Sequence, residues 1–175
     1  LQDPSLLTEI ECKYDYLGRR FSKSNYYRGG AVEEKTEDHY LYRDYLLVQR
    51  TGDNVDYLNA YVWDPTEPVN TRLLYMVLPG PLFVFYGHDF NKNVTEVFLY
   101  SINTNEEMCL TTYDYTPYGI MEGEGDLLYE NPFGFSNEYM DTDLDLIYYN
   151  YRHYNPVEGR WIGRDPYSGN NRYSY

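Results

Sequence analysis

Side chains that could do chemistry are spread thinly along this chain. The run Asp141–Asp145, which reads Asp-Thr-Asp-Leu-Asp, has the alternating carboxylates of a calcium loop but lacks the glycine and the terminal glutamate of that motif. The three histidines, His39, His88 and His153, are far apart in sequence and have no cysteine nearby. We therefore expect no metal and no cofactor, and we expect the acidic run to be a solvated loop.

Patterns for nucleophilic catalysis are also missing from the sequence. It contains no Gly-x-Ser-x-Gly and no glycine-rich phosphate loop. Carboxylates suited to acid and base catalysis are plentiful, but nothing selects one pair among the 28 acidic residues. The sequence therefore predicts that the chain is not an independent enzyme.

The charge balance limits the partners. Asp and Glu number 28 against 14 Lys and Arg, which gives a formal net charge of −14. Such a surface repels a phosphate backbone, so we expect no nucleic acid partner. A solvated acidic exterior is the main interpretation, with a basic protein partner as the alternative. The longest apolar stretch, Leu73–Tyr86, contains Pro79, Gly80 and Pro81 and is too short to span a bilayer, so we expect no membrane insertion.

Tyrosine dominates the elements that must position these residues. The chain has 24 tyrosines, and aromatic residues make up 19% of it. A tyrosine ring packs well on a half-buried pleated surface, while its hydroxyl reaches water or the backbone. Strand-like alternation and repeated turns recur without any sustained helical periodicity. The sequence therefore predicts an all-β fold, in which Cys12 and Cys109 are expected to be buried small hydrophobic residues in strands.

Several hairpins can be placed. Glu11–Lys23 is predicted to form two short strands about Leu17-Gly18, with Gly18 supplying a positive φ. The other predicted elements are strands 39–43 and 46–50 joined by Asp44-Tyr45, a strand over 57–62, a buried strand over 73–77, a hairpin of 82–86 and 94–98 in which Asn91 or Asn93 has the left-handed conformation, a third repeat-like unit from Cys109 to Gly119, and an exposed loop over Glu122–Asp126.

Two segments near the C-terminus carry a family resemblance. Residues 131–141 read Asn-Pro-Phe-Gly-Phe-Ser-Asn-Glu-Tyr-Met-Asp, and 148–166 read Tyr-Tyr-Asn-Tyr-Arg-His-Tyr-Asn-Pro-Val-Glu-Gly-Arg-Trp-Ile-Gly-Arg-Asp-Pro. Together they closely resemble the RHS-associated core of bacterial RHS/YD-repeat proteins. The run from Tyr14 to Arg19 and the run from Tyr113 to Gly119 resemble the YD repeat itself. The matching motif residues are Tyr14, Asp15, Gly18, Tyr113, Asp114, Gly119, Pro132, Phe133, Tyr154, Pro156, Gly159, Arg160, Trp161 and Pro166.

The resemblance implies a fold and a role. The fold is an irregular antiparallel YD-repeat sheet that forms part of a coiled β-shell: residues 1–126 would be repeat hairpins and 127–175 a core segment, in one continuous β domain that is incomplete at its C-terminus. Such shells enclose or present a C-terminal, toxin-like domain, which is not in this chain. The implied partners are the rest of the parent shell and that cargo, and the implied location is secreted or at the bacterial cell surface.

Arg164 and Asp165 match family positions implicated in self-cleavage of the shell. That reaction needs a second aspartate downstream, so Asp165 could supply at most half of the catalytic pair. The alternative is that Arg164 and Asp165 only bond backbone groups at a chain turn. The resemblance also implies that Gly159-Arg160-Trp161 forms the turn and plug about which the core seals, with Trp161 as a buried aromatic anchor.

Two further expectations concern surfaces. An open sheet leaves unpaired backbone groups on its edge strands, so we expect the chain to self-associate through them. The rival to the shell interpretation is a β-rich cell-surface module that recognises carbohydrate or protein through exposed tyrosines. Tyr26-Tyr27 and Tyr148-Tyr149 are the candidate platforms, although adjacent residues of a strand point to opposite faces.

Overall fold

The computed structural model describes residues 7–29, 32–53, 58–67, 72–79, 82–126 and 131–164. Apart from a 3₁₀ turn at Phe135–Asn137, the regular structure within these ranges is antiparallel β-sheet, which confirms the predicted all-β class. Among these residues no helix is long and apolar enough to cross a membrane.

Ten strands form one sheet in which each strand pairs with its neighbours along the chain. Such a meander needs only short connections, and local pairing minimises the entropy lost in closing each loop. The strands are β1 (Leu7–Tyr14), β2 (Arg20–Gly29), β3 (Val32–Arg43), β4 (Leu46–Thr51), β5 (Leu58–Trp63), β6 (Leu73–Leu78), β7 (Leu82–His88), β8 (Val94–Ser101), β9 (Glu106–Tyr115) and β10 (Met121–Gly125).

A second, four-stranded sheet follows, also in chain order. Its strands are β11 (Tyr139–Asp141), β12 (Leu146–Tyr149), β13 (Arg152–Asn155) and β14 (Arg160–Trp161). We refer to residues 131–164, which include this sheet and the segment leading into it, as the end piece.

The two faces of the ten-stranded sheet differ. Tyr40, Tyr61 and Val84 are buried in the main core together with Phe133 and Tyr139 of the end piece. Successive strand residues point to opposite faces, so one face is covered by the end piece. We call this the covered face and its opposite the outer face. Large residues exposed on the outer face include Leu41 and Phe85.

A smaller core lies within the end piece. Phe135, Ile147, Tyr154 and Trp161 are buried together, and Tyr115 of the large sheet packs against them. Tyr115 also packs against the main core, so it connects the two clusters. Aromatic rings supply most of the buried volume, as the tyrosine-rich composition predicts.

The turn chemistry matches the sequence prediction at the first hairpin. Gly18 has φ +77, and the Asp15 carboxylate accepts the backbone N–H groups of Leu17 at 2.9 Å and Arg19 at 3.0 Å. The aspartate of Tyr14-Asp15 thus organises the turn that returns the chain into β2.

Two local predictions are wrong. Lys92, not Asn91 or Asn93, has the positive φ of the 87–93 turn, because Asp89 holds both asparagine N–H groups. Glu122–Asp126 is not a loop: β10 pairs with β9 over Met121–Gly125, although its residues are largely exposed because this strand lies at the sheet edge.

The cysteine prediction also needs correction. Cys109 is exposed on β9, and Cys12 is only half-buried on β1. Both thiols are free. Cys109 lies opposite Phe98 in the β8–β9 register, on a face that nothing in the described part of the chain covers.

Candidate functional site

The segment that precedes the second sheet enters the main core. Asn131, Pro132 and Phe133 are all buried. The Phe133 ring packs edge-on against Tyr61 at 5.1 Å between centroids and against Trp63 at 5.5 Å. The Asn131 amide donates to the Phe133 carbonyl at 2.6 Å, which satisfies polar groups that have left water. Pro132 and Phe133, both predicted site residues, therefore begin the contact between the end piece and the covered face.

Every second turn of a meander lies at the same end of the sheet. The turns after β1, β3, β5, β7 and β9 therefore lie at one end of the sheet. The end piece contacts the turns after β1, β3, β7 and β9. These contacts tie the first two hairpins, β1–β2 and β3–β4, to the last two, β7–β8 and β9–β10, with which they do not pair.

Hydrogen bonds make these ties. At the turn after β1, the Arg20 backbone N–H donates to the Tyr148 hydroxyl at 2.8 Å. The turn after β3 is reached by a hydrogen bond between the Tyr151 and Tyr45 hydroxyls. The remaining ties are from Ser136 N–H to Asn93 Oδ1 at 2.7 Å, from Val94 N–H to the Gly134 carbonyl at 3.0 Å, and from the Tyr154 hydroxyl to the Tyr118 carbonyl at 2.9 Å.

A buried group of charges lies between the end piece and β2. The Asp141 carboxylate pairs with the Arg20 guanidinium and, through its other oxygen, with Lys23 Nζ at 2.5 Å. Lys23 also contacts Asp143 at 2.5 Å, and the Asn25 amide donates to Asp143 at 2.7 Å. We call Arg20, Lys23, Asn25, Asp141 and Asp143 the ion cluster.

Aromatic rings surround the Arg20 guanidinium. Its central carbon lies 4.9 Å from the ring centroids of Tyr40 and Tyr148 and 5.5 Å from that of Tyr139. Arg20 is fully buried, so these ring faces replace part of the hydration that the cation has lost. Tyr40 comes from the large sheet and the other two rings from the end piece, so the arginine joins both.

The cluster holds its members in their charged forms. Burial raises the pKa of Asp141, but Lys23 and Arg20 outweigh it and hold that pKa below its ordinary value. Burial lowers the pKa of Lys23, and Asp141 and Asp143 more than offset this, so the net pKa is raised. Opposite charges in a dry site thus stabilise each other's ionised states.

The ion cluster overturns one part of the prediction that Asp141–Asp145 is a solvated loop. Asp141 is 1% exposed and ion-paired. Asp145, by contrast, is exposed, as predicted. The run is thus divided: its first carboxylate is a buried structural anion, Asp143 has partial solvent contact, and its last carboxylate faces water.

Two glycines allow close approach between the end piece and the turn after β9. Gly119 has φ +86, and a Cβ atom there would lie 2.6 Å from the Phe135 ring. Gly159 has φ +64, and a Cβ atom there would lie 3.1 Å from Tyr118. Both predicted glycines therefore lie where a side chain would separate the end piece from the sheet.

Trp161 lies at the far end of the second sheet. It is 7% exposed and packs against Tyr149 at 4.9 Å and Tyr154 at 5.5 Å between centroids. The Arg152 guanidinium lies 3.8 Å from its ring centroid. The indole is therefore a buried anchor, while Arg160 beside it is exposed and pairs with Glu158.

The other predicted site residues differ in how far they are buried. Tyr113, Tyr154 and Pro156 are buried, whereas Tyr14 is 44% exposed at the end of β1. Asp114 is exposed on β9 and does not organise its turn: the Thr116 hydroxyl accepts the Ile120 N–H there at 3.1 Å.

Of the two predicted self-cleavage residues, the described part of the chain includes Arg164 but not Asp165. Arg164 is exposed at the end of the described part of the chain. Asp165 and Pro166 lie outside the described residues, so the structure does not test the geometry of Arg164 and Asp165.

Sequence reasoning missed the ion cluster. Arg20 and Asp141 are 121 positions apart, and Lys23 and Asp143 are 120 apart. Arg20 directly follows the repeat-like Tyr14–Arg19 run, where a second arginine looks like an ordinary strand residue. No spacing in the sequence indicates which acid it meets.

The fold and the site together define a class of protein. It is an all-β scaffold: a long antiparallel meander whose covered face is fastened by a later segment of the same chain. No protein-family model and no curated protein matches this chain.

Solved structures with the same fold exist. The chain matches the crystal structure of TcdB2-TccC3 over 94% of its length, with a TM-score of 0.68 and 17% identity. It matches the Photorhabdus luminescens Tc holotoxin pore with a mutated TccC3 over 94%, with a TM-score of 0.69 and 20% identity. A third match, TcdB2-TccC3-Cdc42, covers 99% of the chain with a TM-score of 0.68 and 19% identity. The chain spans only 8–9% of these matched chains, and the likeness shows a shared fold.

Proposed function

We propose that this chain is a structural, non-enzymatic terminal part of an RHS-type β-shell. Such a shell encloses or presents a C-terminal domain, which is not in this chain. The motif resemblance over residues 131–166 supports the proposal. Fold likeness to Tc toxin structures supports it independently, because that comparison rests on backbone geometry.

The observation that carries the proposal is the way residues 131–164 fasten to the sheet. A segment that only extended the repeat would add strands to the sheet edge. This one instead crosses the covered face, buries Phe133 and Asp141 against it, and contacts four turns at one end. These contacts support a role in closing one end of the sheet.

The proposed partners follow from the incomplete surfaces of the fragment. Strands β1 and β10 each pair on one side only within the described residues. Backbone groups on such edges favour further strands, which the rest of the parent shell would supply. A secreted or surface location in a bacterium belongs to the same proposal.

The proposal is tested by protease protection in a longer protein that contains this chain and its downstream domain. We expect the downstream domain to resist trypsin in the wild type and to be digested when Asp141→Ala weakens the closure. Asp145→Ala, an exposed acid of the same run, is the matched control and should retain protection. If the wild-type domain is digested as fast as the isolated domain, the chain does not enclose it.

A second element of the proposal is self-processing. The Arg164-Asp165 resemblance supports a role for Asp165 as one carboxylate of a cleaving pair, in which one acid is ionised while its partner stays protonated. Intact mass of the longer protein, with and without Asp165→Asn, tests this. A split product that the substitution abolishes would support it, and an unsplit wild type would contradict it.

The rival surface-binding module has less support. Of its proposed platforms, Tyr27 and Tyr148 are buried, and the Tyr148 hydroxyl is engaged by Arg20. A polar groove of about 580 Å³ runs between the large sheet and the end piece. Its Asp89 and Asn93 groups already bond each other and the nearby backbone, which leaves them poorly placed to bind a sugar.

A further inference from the structure

Three potential metal ligands meet on the outer face of the large sheet. Glu37 and His39 are two positions apart on β3, so their side chains share a face. Asp53 lies just beyond β4, which pairs with β3. One ligand atom from each residue lies within 4.8 Å of the other two, and Glu37 Oε1 is 4.0 Å from His39 Nε2.

The backbone and a neighbouring hydroxyl position the two acids. Asp53 Oδ2 accepts the Glu37 backbone N–H at 2.7 Å, which holds the chain after β4 against β3. The Ser22 hydroxyl donates to Glu37 Oε1 at 2.8 Å. Both carboxylates are therefore held beside His39 by bonds that leave other oxygen lone pairs available.

A buried hydroxyl lies next to the three ligands. Ser24 is 0% exposed, and its Oγ has no hydrogen-bond partner. It lies directly opposite Glu37 in the β2–β3 register, on the same face as the three ligands. A buried hydroxyl without a partner is costly, so the polar groups around Glu37 are not fully satisfied by the protein alone.

The surrounding charges are mixed. Lys35 pairs with Glu37 through the other carboxylate oxygen, Oε2, and is itself well exposed. Lys35 and Ser22 lower the pKa of Glu37 to about 2, so this carboxylate is ionised at neutral pH. Glu11 and Lys13 of β1 lie opposite Ser24 and Ser22 and contact each other. Oxygen Oε1 of Glu37 faces His39 and is the atom available to a cation.

We propose that Glu37, His39 and Asp53 bind a divalent transition metal of the zinc type, with water completing the coordination. One imidazole nitrogen with two carboxylates suits zinc, whereas calcium and magnesium take oxygen ligands. Ligands at about 2.0–2.2 Å from a tetrahedral metal are roughly 3.4 Å apart, so the present separations must close by about 1 Å. The His39 side chain is 54% exposed and free to make that movement.

Sequence reasoning predicted no metal site because neither the histidine spacing nor the acidic run Asp141–Asp145 matched a metal-binding motif. The third ligand, Asp53, follows β4 and lies at the end of the β3–β4 hairpin opposite its turn. A metal at this site would clip the chain after β4 to β3, on the face opposite the end piece. The inference therefore stands independently of the proposed shell function.

Zinc titration followed by calorimetry and histidine NMR tests the site. We expect saturable one-to-one binding, and binding at least tenfold weaker in each of His39→Asn and Asp53→Asn. Glu107→Gln, which removes an exposed acid from β9, should bind as the wild type does. Since His39 and Asp53 lie at the surface, both variants should keep the wild-type melting temperature in the absence of zinc.

The NMR readout locates the metal. The chain has three histidines, so imidazole signals of His39 should shift while those of His88 and His153 stay unchanged. Cys109 is an exposed competing ligand, and Cys109→Ser should retain zinc binding. The site is overturned if no saturable binding occurs, if both His39→Asn and Asp53→Asn bind normally, or if binding is lost with Cys109.

Discussion

Asp141 holds two buried cations, Arg20 and Lys23, and its own side chain has no solvent exposure. Removing one partner of a buried ion pair is far more damaging than never having the pair, because the remaining charge keeps its desolvation cost. Asp141 pairs with both cations, whereas Asp143 pairs with Lys23 alone. Asp141 is therefore the side chain on which attachment of the end piece depends most strongly.

Replacing Asp141 with asparagine should lower the free energy of unfolding by about 3–5 kcal/mol, because Arg20 and Lys23 lose their common anion. Urea denaturation followed by tyrosine fluorescence measures this loss. Asp145→Asn, in the same acidic run but exposed, should change stability by less than about 0.5 kcal/mol. Equal stability of the two variants would show that the cluster does not hold the end piece.

Glu138, between the 3₁₀ turn and β11, should make stability depend on pH. Burial raises its pKa from 4.5 to about 8. The folded state then holds a proton that the unfolded state releases, so this residue's contribution to stability falls as pH rises from about 4.5 to 8. Glu138→Gln should be more stable than the wild type at pH 8, on the order of 1 kcal/mol given its partial exposure, and equal to it near pH 4.

The comparison with Glu138→Gln must be made as a difference at each pH. Burial also lowers the pKa of His88 and of His153, and these groups change wild-type stability in the opposite direction near neutral pH. The difference between variant and wild type removes their contribution. A difference that stays constant from pH 4 to pH 8 would contradict a raised pKa at Glu138.

At the scale of elements, a turn could be predicted where its own residues impose the conformation. It could not be predicted where contacts in the folded chain impose it. Gly18 was predictable because a tight hairpin needs positive φ, and the short strands on either side of it follow from that turn. Lys92 was not predictable, because the Asp89 bonds that impose its conformation depend on the folded turn. The exposed, glycine-containing run that forms β10 looks like a loop because an edge strand has little to bury.

The candidate site divides in the same way. Phe133, Gly119 and Trp161 were found through family resemblance, and they are the residues where rings and backbone meet closely. The ion cluster was not found, since its members are joined only by folding across about 120 positions. The spacing of neighbouring residues indicates where turns lie and which face of a strand is buried. Charge pairing between distant residues leaves no pattern in a single sequence.

The fit between the turn after β9 and the end piece should depend on Gly119. An alanine there would need φ +86 and would place Cβ 2.6 Å from the Phe135 ring. Gly119→Ala should cost roughly 1–3 kcal/mol, measured by urea denaturation. Gly163→Ala, where no atom lies within 4 Å, is the control and should be nearly neutral.

A double mutant separates the two causes of that loss. If the clash with Phe135 contributes, Gly119→Ala combined with Phe135→Leu should cost less than the sum of the single changes. Close packing at this turn would be contradicted by two results together. The free-energy losses of Gly119→Ala and Phe135→Leu would add strictly, and Gly119→Ala would cost no more than Gly163→Ala.

Trp161 should anchor the second sheet. Trp161→Ala is expected to lower the free energy of unfolding by about 3–5 kcal/mol, because the indole fills the space between Tyr149 and Tyr154. Thermal and urea denaturation both measure the loss. Ile162→Ala is the control, since that side chain is 51% exposed. Unchanged melting of Trp161→Ala would mean that the ring does not stabilise the fold.

At the scale of the whole molecule, the described residues form a large sheet with one covered face and with β1 and β10 as its edge strands. The covered face is fastened by the end piece, while β1 and β10 lie at the edges of the large sheet. This asymmetry is why self-association of the isolated chain remains our expectation, and why we assign the edges to neighbouring strands of a longer shell.

Electron cryo-microscopy of a longer protein that contains this chain, its preceding repeats and its downstream domain is the most direct test of the account. The account predicts a hollow shell in which β1 pairs with a preceding strand, residues 7–125 form wall, and residues 131–164 close one end with Asp141 against Arg20. A separate globular domain with β1 unpaired, or an end piece displaced from the covered face, would contradict it.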